Sequence, residues 1–376
     1  MKAHGPPPRF LVLSSRRAFE TFTGPVPAAL QERYVFRKPA QGARILAALP
    51  DVRLVISQSY LRPELNRWIF EARRRGVPTL LLVDGPLEWS NVYAHPSLSR
   101  PGAAAARGLF QPIVHDAVAA IGEAQARFIE GRNRARGIVF MSYANRRIRT
   151  GATPLPEDRP HGSSAPAATF DFLLTTARTP SFGERERAAL TRALCACATA
   201  LVSAGHRTLV RIFDEDIRGA VQAAAPAARF EATGPFRDAL ARCRCVIGTP
   251  SSVLLEAMHH DRPTATLVFR DSPLLYQTGW LLGGFADWQA SFASMLAREP
   301  ARMALQREVL RENVANADFF EQAEAIARDE WLTAPRPLDE QDLAFENQVL
   351  RHLAGWRAQL LAPLCRAVLH RSPPEP

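Results

Sequence analysis

Residues 243–268 read CRCVIGTPSSVLLEAMHHDRPTATLV. A short apolar run at 245–248 stops at Thr249-Pro250-Ser251-Ser252. A helical segment follows with Glu256 one turn in, and a second apolar run, 264–268, comes after Arg262-Pro263. Strand, polar loop, helix and strand in that order make a parallel α/β unit. The loop sets hydroxyls and unpaired backbone N–H groups at a helix N-terminus, where the helix dipole favours an anion. Glu256, four residues after Ser252, projects from the same face. A phosphate at the loop and a sugar diol at the carboxylate would together make a nucleotide. The same residues also read as plain structure, with Ser251 or Ser252 capping the helix and Glu256 in solvent.

The same alternation runs outward in both directions. Toward the N-terminus, strands are expected at 10–14, 54–57 and 79–83 and helices at 41–49 and 63–75. A helix from Phe110, a short strand at 119–121, a helix at 123–130 and a strand at 138–141 complete that run. Apolar strands of four to six residues between helical patterns argue for a parallel sheet covered on both faces. Residues 149–168, RTGATPLPEDRPHGSSAPAA, are rich in Pro, Gly and Ser and read as a linker. A second run begins at Phe170, with strands at 172–176, 208–213, 229–232, 245–248 and 265–269. Its helix at 184–204 ends at Gly205, a C-cap residue. From Phe285 the chain reads as helical. Its last helix, 343–369, mixes leucines and Trp356 with arginines. That helix is expected to pack back across the domains; the alternative is to lie on anionic lipid.

The expected division is therefore a first α/β domain at 1–148, the linker at 149–168, a second α/β domain at 169–325 and a helical C-terminal extension at 326–376. Two such Rossmann-like domains face each other across a cleft. Functional residues then belong in loops after the strands on both sides of it.

Composition bounds the function. The 376-residue chain is 47% hydrophobic, ample for two cores, and has no apolar run long enough to span a membrane. The apolar run at 10–14 is too short for a signal sequence, so a cytoplasmic protein is expected. Five cysteines fit a reducing compartment, and Cys195-x-Cys197 and Cys243-x-Cys245 lack the spacing of a zinc site. The net charge of +10 is carried almost wholly by arginine, since Lys2 and Lys38 are the only lysines. A basic surface attracts anionic substrates, membrane lipid or nucleic acid. Interleaved aromatic and basic residues, zinc fingers and helix-turn-helix patterns are absent, so nucleic acid is not an expected partner.

In the first half, the strand at 79–83 runs into Asp84-Gly85, then Glu88 and, further on, His95. A carboxylate directly after a parallel strand is placed for general-base work, while Asp-Gly is also a common turn pair. Asp84 is the favoured base. Glu88 and His95 read first as loop residues, and His115 and Asp116 as structural residues within a helix. Asp214-x-Asp216 could ligate Mg²⁺, but reads first as the start of a helix.

Three segments resemble the GT-B class of glycosyltransferases, and in particular bacterial surface-carbohydrate enzymes related to CDP-glycerol glycerophosphotransferases and non-hydrolysing UDP-sugar epimerases. VIGTPSSVLLEAMHHDRPTATLV looks like that group's donor element, which implies Thr249, Ser251 and Ser252 for phosphate and Glu256 for ribose. GVPTLLLVDGPLEWSNVYAHP with LFQPIVHDAVAAIGEAQARFIEG is similar to the group's acceptor-side domain, which implies Asp84 as catalytic base. TLVRIFDED resembles a strand ending in a basic residue, any residue, then His-Pro. Arg211 keeps the basic position, Phe213 stands where His is expected, and Arg178 is an alternative source of positive charge.

The resemblance implies metal-independent transfer of a sugar from a nucleotide-sugar donor to a carbohydrate or lipid-linked acceptor, with no cofactor, in the cytoplasm or at the inner membrane surface. Rival readings are a polyol-phosphate transferase or nucleotide-sugar epimerase, and an inactive GT-B protein that binds carbohydrate or a partner. Phe213 favours the last of these.

Overall fold

Two six-stranded parallel sheets organise the molecule. The computed structural model describes residues 9–38, 51–59, 62–95, 98, 108–133, 136–149, 169–178, 180–270, 276–284, 287–328 and 335–369. The first sheet contains β1 (Arg9–Val12), β2 (Tyr34–Phe36), β3 (Val52–Ser57), β4 (Thr79–Leu82), β5 (Ala117–Ala120) and β6 (Val139–Ser142), in the order β2-β1-β3-β4-β5-β6. The second contains β7 (Phe170–Thr175), β8 (Thr208–Arg211), β9 (Arg229–Phe230), β10 (Cys243–Gly248), β11 (Thr264–Leu267) and β12 (Trp280–Leu282), in the order β12-β11-β10-β7-β8-β9. Both are doubly wound, and in each the order reverses beside a central strand, where the strand ends open a crevice.

The central strands form because their side chains are apolar on both faces. β4, β5 and β11 are buried at every position, as a sheet sandwiched between helices requires. In the first unit, α1 (Arg16–Thr23), α2 (Pro63–Arg74), α3 (Trp89–Ala94), α4 (Glu123–Asn133) and α5 (Arg146–Arg149) follow their strands. In the second come α6 (Glu184–Ser203), α7 (Glu215–Ala224), α8 (Phe236–Ala241), α9 (Ser252–His259) and α10 (Trp288–Leu296). Gly205, just past α6, has a φ of 78°, the left-handed turn that ends a helix.

The chain then returns to the first sheet. It passes through α11 (Pro300–Asn313) and α12 (Phe319–Ala327). Phe319 sets its ring against Phe19 and Tyr143, and Phe320 sets its ring against Tyr34. Gln322 donates to the Ser142 carbonyl, and Arg33 pairs with Glu324 at 2.6 Å. Where the end of α11 meets the loop after β5, a Cβ on Gly122 would lie 2.3 Å from the Asn313 backbone, so only glycine fits there.

The last helix, α13 (Glu340–Leu369), packs on α2, with Phe345 and Val349 buried among Leu65, Trp68 and Ile69. Its first turn is tied down by charge. Asp342, fully buried, pairs with Arg73 at 3.0 Å, with Arg336 at 2.7 Å and with Arg136. Burial alone would raise this carboxyl; the hydrogen bond and charge of Arg336, with Arg73 and Arg136, hold it below the usual range. Among the described residues no helix is long and apolar enough to cross a membrane.

Several expectations are corrected. No helix starts at Phe110. Residues 108–116 form a loop, because Pro112 removes a donor and Phe110 sits at φ 60°. His115 and Asp116 therefore lie in that loop rather than in a helix. Both are fully buried: His115 Nε2 lies 2.8 Å from Ser57 Oγ, and Asp116 pairs with Arg73 at 3.1 Å. Burial, with Arg73 and Arg336 nearby, drives the His115 pKa down to about 3. Two short edge strands, β2 and β12, were not expected. The helix expected at 41–49 and the linker from 150 onward lie outside the described residues.

Candidate functional site

A cavity of about 1070 Å³ opens between the two units, at the carboxyl ends of both sheets. Its wall on the second unit comes from the loops after β7, β8 and β10. It includes Thr175, Thr176, Arg178, Arg211, Phe213, Ser251, Ser252 and Glu256, joined by Arg237 at the start of α8. The first unit supplies Arg16, Arg17, Glu20 and Thr21 from α1, and Arg146 and Arg147 from α5. A second cavity of about 360 Å³ holds Asp84, Glu88, Asn91 and His95. The two cavities share Arg147, Ala177, Ser251 and Ser252, so the favoured base and the favoured nucleotide loop line adjoining spaces.

The loop from β10 into α9 sets the N-terminus of α9 beside both cavities, with contacts that differ in part from those expected. Thr249 does not line the cavity. It is buried, and its hydroxyl accepts from the Ala177 N–H at 2.8 Å, tying the β7 loop to the end of β10. Just past the end of β10 at Gly248, its hydroxyl thus makes a structural contact where a phosphate contact is expected. Ser251 is the N-cap residue of α9, yet no side chain caps the helix. Its hydroxyl donates to the Thr249 carbonyl, and its N–H is taken by the Tyr276 hydroxyl at 3.2 Å. Tyr276 also donates to the Ser251 carbonyl at 2.8 Å, which fixes the loop from behind. Ser252 lines both cavities.

Thr176, which sequence reasoning did not single out, adds to this wall. It is 1% exposed, and its hydroxyl has no partner within the protein. A buried hydroxyl costs stability unless something satisfies it, and this one borders the cavity.

Glu256 is 8% exposed. Burial raises its carboxyl to about 7; Arg147, Arg237 and Arg211 act against that rise without cancelling it. Arg211 is buried, and its guanidinium donates to the carbonyls of Thr233 at 2.8 Å and Gly234 at 2.6 Å. Part of its hydrogen-bonding capacity is therefore committed to shaping the 233–234 loop. Phe213 lies between charges: the Arg178 and Arg211 guanidinium carbons sit 5.5 and 5.2 Å from its ring centre. An aromatic face attracts cations, so Phe213 can hold two arginines at the wall without an acid.

Asp84 opens onto the second cavity at the end of β4. The residue is exposed at the cavity mouth, yet the crowding of protein around its carboxyl pushes the pKa up, with a backbone hydrogen bond and Arg147 acting in the other direction. Arg147 therefore acts on both Asp84 and Glu256, and it lines both cavities. No sequence pattern marks it, because α5 reaches the site through the packing of α5 on α9.

Glu88 belongs to a bridge between the units. Arg270, largely buried, pairs with Glu88 of the first unit and at 2.8 Å with Glu186 of the second. Its guanidinium carbon lies 5.1 Å from the centre of the Phe182 ring, on which His95 also packs. Asp214 caps α7 by accepting from Ile217 N–H, and Arg187 holds both Asp214 and Asp216. Among the described residues no three His, Cys, Asp or Glu side chains gather as metal ligands. Cys197, Cys243 and Cys245 are buried thiols pushed up to about 12 by burial.

No family model and no curated protein sequence matches the chain. Solved structures do. Staphylococcus aureus MnaA in complex with UDP is similar at a TM-score of 0.53 and 10% identity, over 87% of this chain and 97% of that one. A putative UDP-N-acetylglucosamine 2-epimerase from Listeria monocytogenes is similar at 0.51 and 13%, over 88% and 98%. A UDP-forming α,α-trehalose-phosphate synthase from Burkholderia vietnamiensis aligns at 0.45 and 15%, over 78% and 74%. At such identities the likeness is one of fold. The chain has the GT-B fold, two Rossmann-like domains that face each other across a cleft.

Proposed function

We propose that the chain is a glycosyltransferase that moves a sugar from a nucleotide-sugar donor to a hydroxyl of a surface-polysaccharide or glycolipid acceptor, without a metal. The observation that carries this reading is the pair of adjoining cavities, one arginine-rich and ending on α9, the other holding Asp84. In the first, Ser252, Thr176 and the N-terminus of α9 take the donor phosphates, and Glu256 takes the ribose hydroxyls. Arg178 and Arg211 stand at the same wall. The UDP held by the MnaA structure supports a nucleotide in this fold.

Asp84 accepts the proton of the acceptor hydroxyl. The acceptor oxygen then bonds to the anomeric carbon, and the bond from that carbon to the phosphate oxygen breaks. Its electron pair leaves on the nucleotide, where arginines and helix N–H groups stabilise the growing charge. A carboxyl raised above its usual range is a stronger base once ionised. On this reading the domains are the acceptor side at 1–148 and the donor side at 169–325, and the enzyme works in the cytoplasm or against the inner membrane surface.

Removing a general base costs about 10²–10⁴-fold in rate. Asp84→Asn is therefore expected to lower turnover by that factor and leave nucleotide affinity unchanged. A thermal-shift screen of CMP, CDP, UDP, GDP and their sugars identifies the donor first. Unchanged turnover in Asp84→Asn rejects the base, and no shift with any nucleotide rejects the donor site.

One observation favours a second reading, epimerisation of a nucleotide sugar. Two carboxyls with raised pKa, Asp84 and Glu256, stand in adjoining cavities, as acid and base on two sides of one sugar would. An epimerase converts the donor to its isomer with no acceptor present, whereas a transferase turns over only when one is supplied.

A further inference from the structure

The cleft carries more positive charge than a donor nucleotide requires. The second unit already offers three arginines, the N-terminus of α9 and the unpartnered hydroxyl of Thr176. The first unit adds Arg16, Arg17, Arg146 and Arg147 to the same cavity. Against these stand two carboxylates, Glu20 and Glu256. Glu20 is matched by Arg16 at 3.7 Å, and Glu256 is the group raised to about 7. Arg17 and Arg147 make no ion pair among the described residues, and both side chains are exposed to the cavity. Cations gathered on one wall of a cleft without counter-charge raise the local concentration of an anion.

We propose that the first-unit wall, centred on Arg17 and Arg147, binds a phosphate ester on the acceptor, so that the acceptor is itself anionic. This rests on the transferase reading and names its substrate class. The placement argues for the acceptor rather than the donor. α1 and α5 follow β1 and β6 at the same end of the first sheet as Asp84, and Arg147 borders both the Asp84 cavity and the large one. An acceptor that presents a hydroxyl to Asp84 therefore extends past Arg147 toward Arg17. The phosphate comes from a soluble sugar phosphate or from the diphosphate of a lipid-linked sugar.

The test uses the full chain with the double substitution Arg17→Gln, Arg147→Gln, which touches no core position. Binding of glucose 6-phosphate, with glucose as the uncharged control, and of phosphatidylcholine vesicles carrying a prenyl diphosphate is measured with the stabilising nucleotide saturating, and again without it. The wild type is expected to bind at least one phosphate probe and not glucose. The double variant is expected to lose that binding at least tenfold, and Arg17→Gln alone, which changes no charge acting on Glu256 or Asp84, to weaken it while keeping nucleotide affinity within twofold. Preference for the sugar phosphate or the vesicle identifies the source. Equal loss of nucleotide affinity assigns the arginines to the donor and overturns the proposal, as does a wild type that binds neither probe. A wild type that binds a probe through these arginines but no nucleotide keeps the anion site and rejects the transferase reading. One that binds nucleotide alone does the reverse.

Discussion

Asp342 and Glu256 are both buried carboxyls acted on by three arginines, yet they titrate in opposite directions. Burial pushes each of them up. At Asp342 the guanidinium groups of Arg336, Arg73 and Arg136 are in contact and outweigh that push. At Glu256 the charges of Arg147, Arg237 and Arg211 act without any side-chain hydrogen bond among the described residues, and the carboxyl stays near 7. What separates the two is the open space of the cleft. Charge in contact and out of water fastens α13 to the first sheet. Charge held apart along the wall of an open cavity leaves room for a ligand to complete it. Arginine content alone therefore says little about role; the distance to the nearest acid separates structural from ligand-facing arginines.

The largest effect expected from breaking this contrast is at Asp342. Asp342→Asn removes the carboxylate that three guanidinium groups share, leaving Arg73 to Asp116 and Arg136 and Arg336 to the more exposed Asp339, and removing one partner of a buried pair costs about 3–5 kcal/mol. Denaturant unfolding should show that loss, with nucleotide affinity of the folded fraction unchanged. A cost below ~1 kcal/mol would mean that these arginines are as well solvated as those of the cleft. In the wild type the depressed carboxyl contributes stability that is present above its unfolded pKa and lost as pH falls through the folded one.

Glu256 should behave in the opposite way. Its folded pKa is raised from 4.5 to about 7, so the folded state binds more protons across that window. Stability then falls as pH rises from the unfolded value through the folded one, and levels off above it. Glu256→Gln removes this penalty. It should stabilise the chain at pH 8 by up to about 3 kcal/mol and by almost nothing at pH 4, while abolishing nucleotide binding. A melting-temperature gain that is the same at both pH values would show that Glu256 does not carry the shift.

The smallest expected effect is at Phe213. A cation–π contact is worth about 0.5–1 kcal/mol at an exposed site. Phe213→Leu should weaken nucleotide binding by roughly 2–5-fold, by loosening Arg178 and Arg211 rather than by touching the ligand. If affinity is unchanged in a titration, the ring is a spacer and the arginines hold themselves.

The sequence carried the strands that bury both faces, because a continuous apolar run broken by Gly, Pro or Ser has few other readings. β10, α9 and β11 were read from one segment for that reason. β2 and β12 were missed because three residues at a sheet edge leave no pattern to read. Phe110 was misread because a helical composition hid Pro112. At the site, residues after strands of the second unit could be placed, since local order fixes them. Thr249 could not, because its hydroxyl answers to Ala177, a residue 72 positions away in the chain. Arg17 and Arg147 were invisible for a stronger reason, as they reach the cavity only when the two units are packed together.

Arg270 couples the two walls of the cleft through charge. It belongs to the second unit and bridges Glu186 of that unit and Glu88 of the other. Parting the units would leave Arg270 with Glu186 and take from Glu88, a buried carboxylate, its Arg270 partner. That contact is worth roughly 1.5–3 kcal/mol as a charge-assisted hydrogen bond, and it adds to the packing of α5 on α9 in holding the two walls of the cleft together.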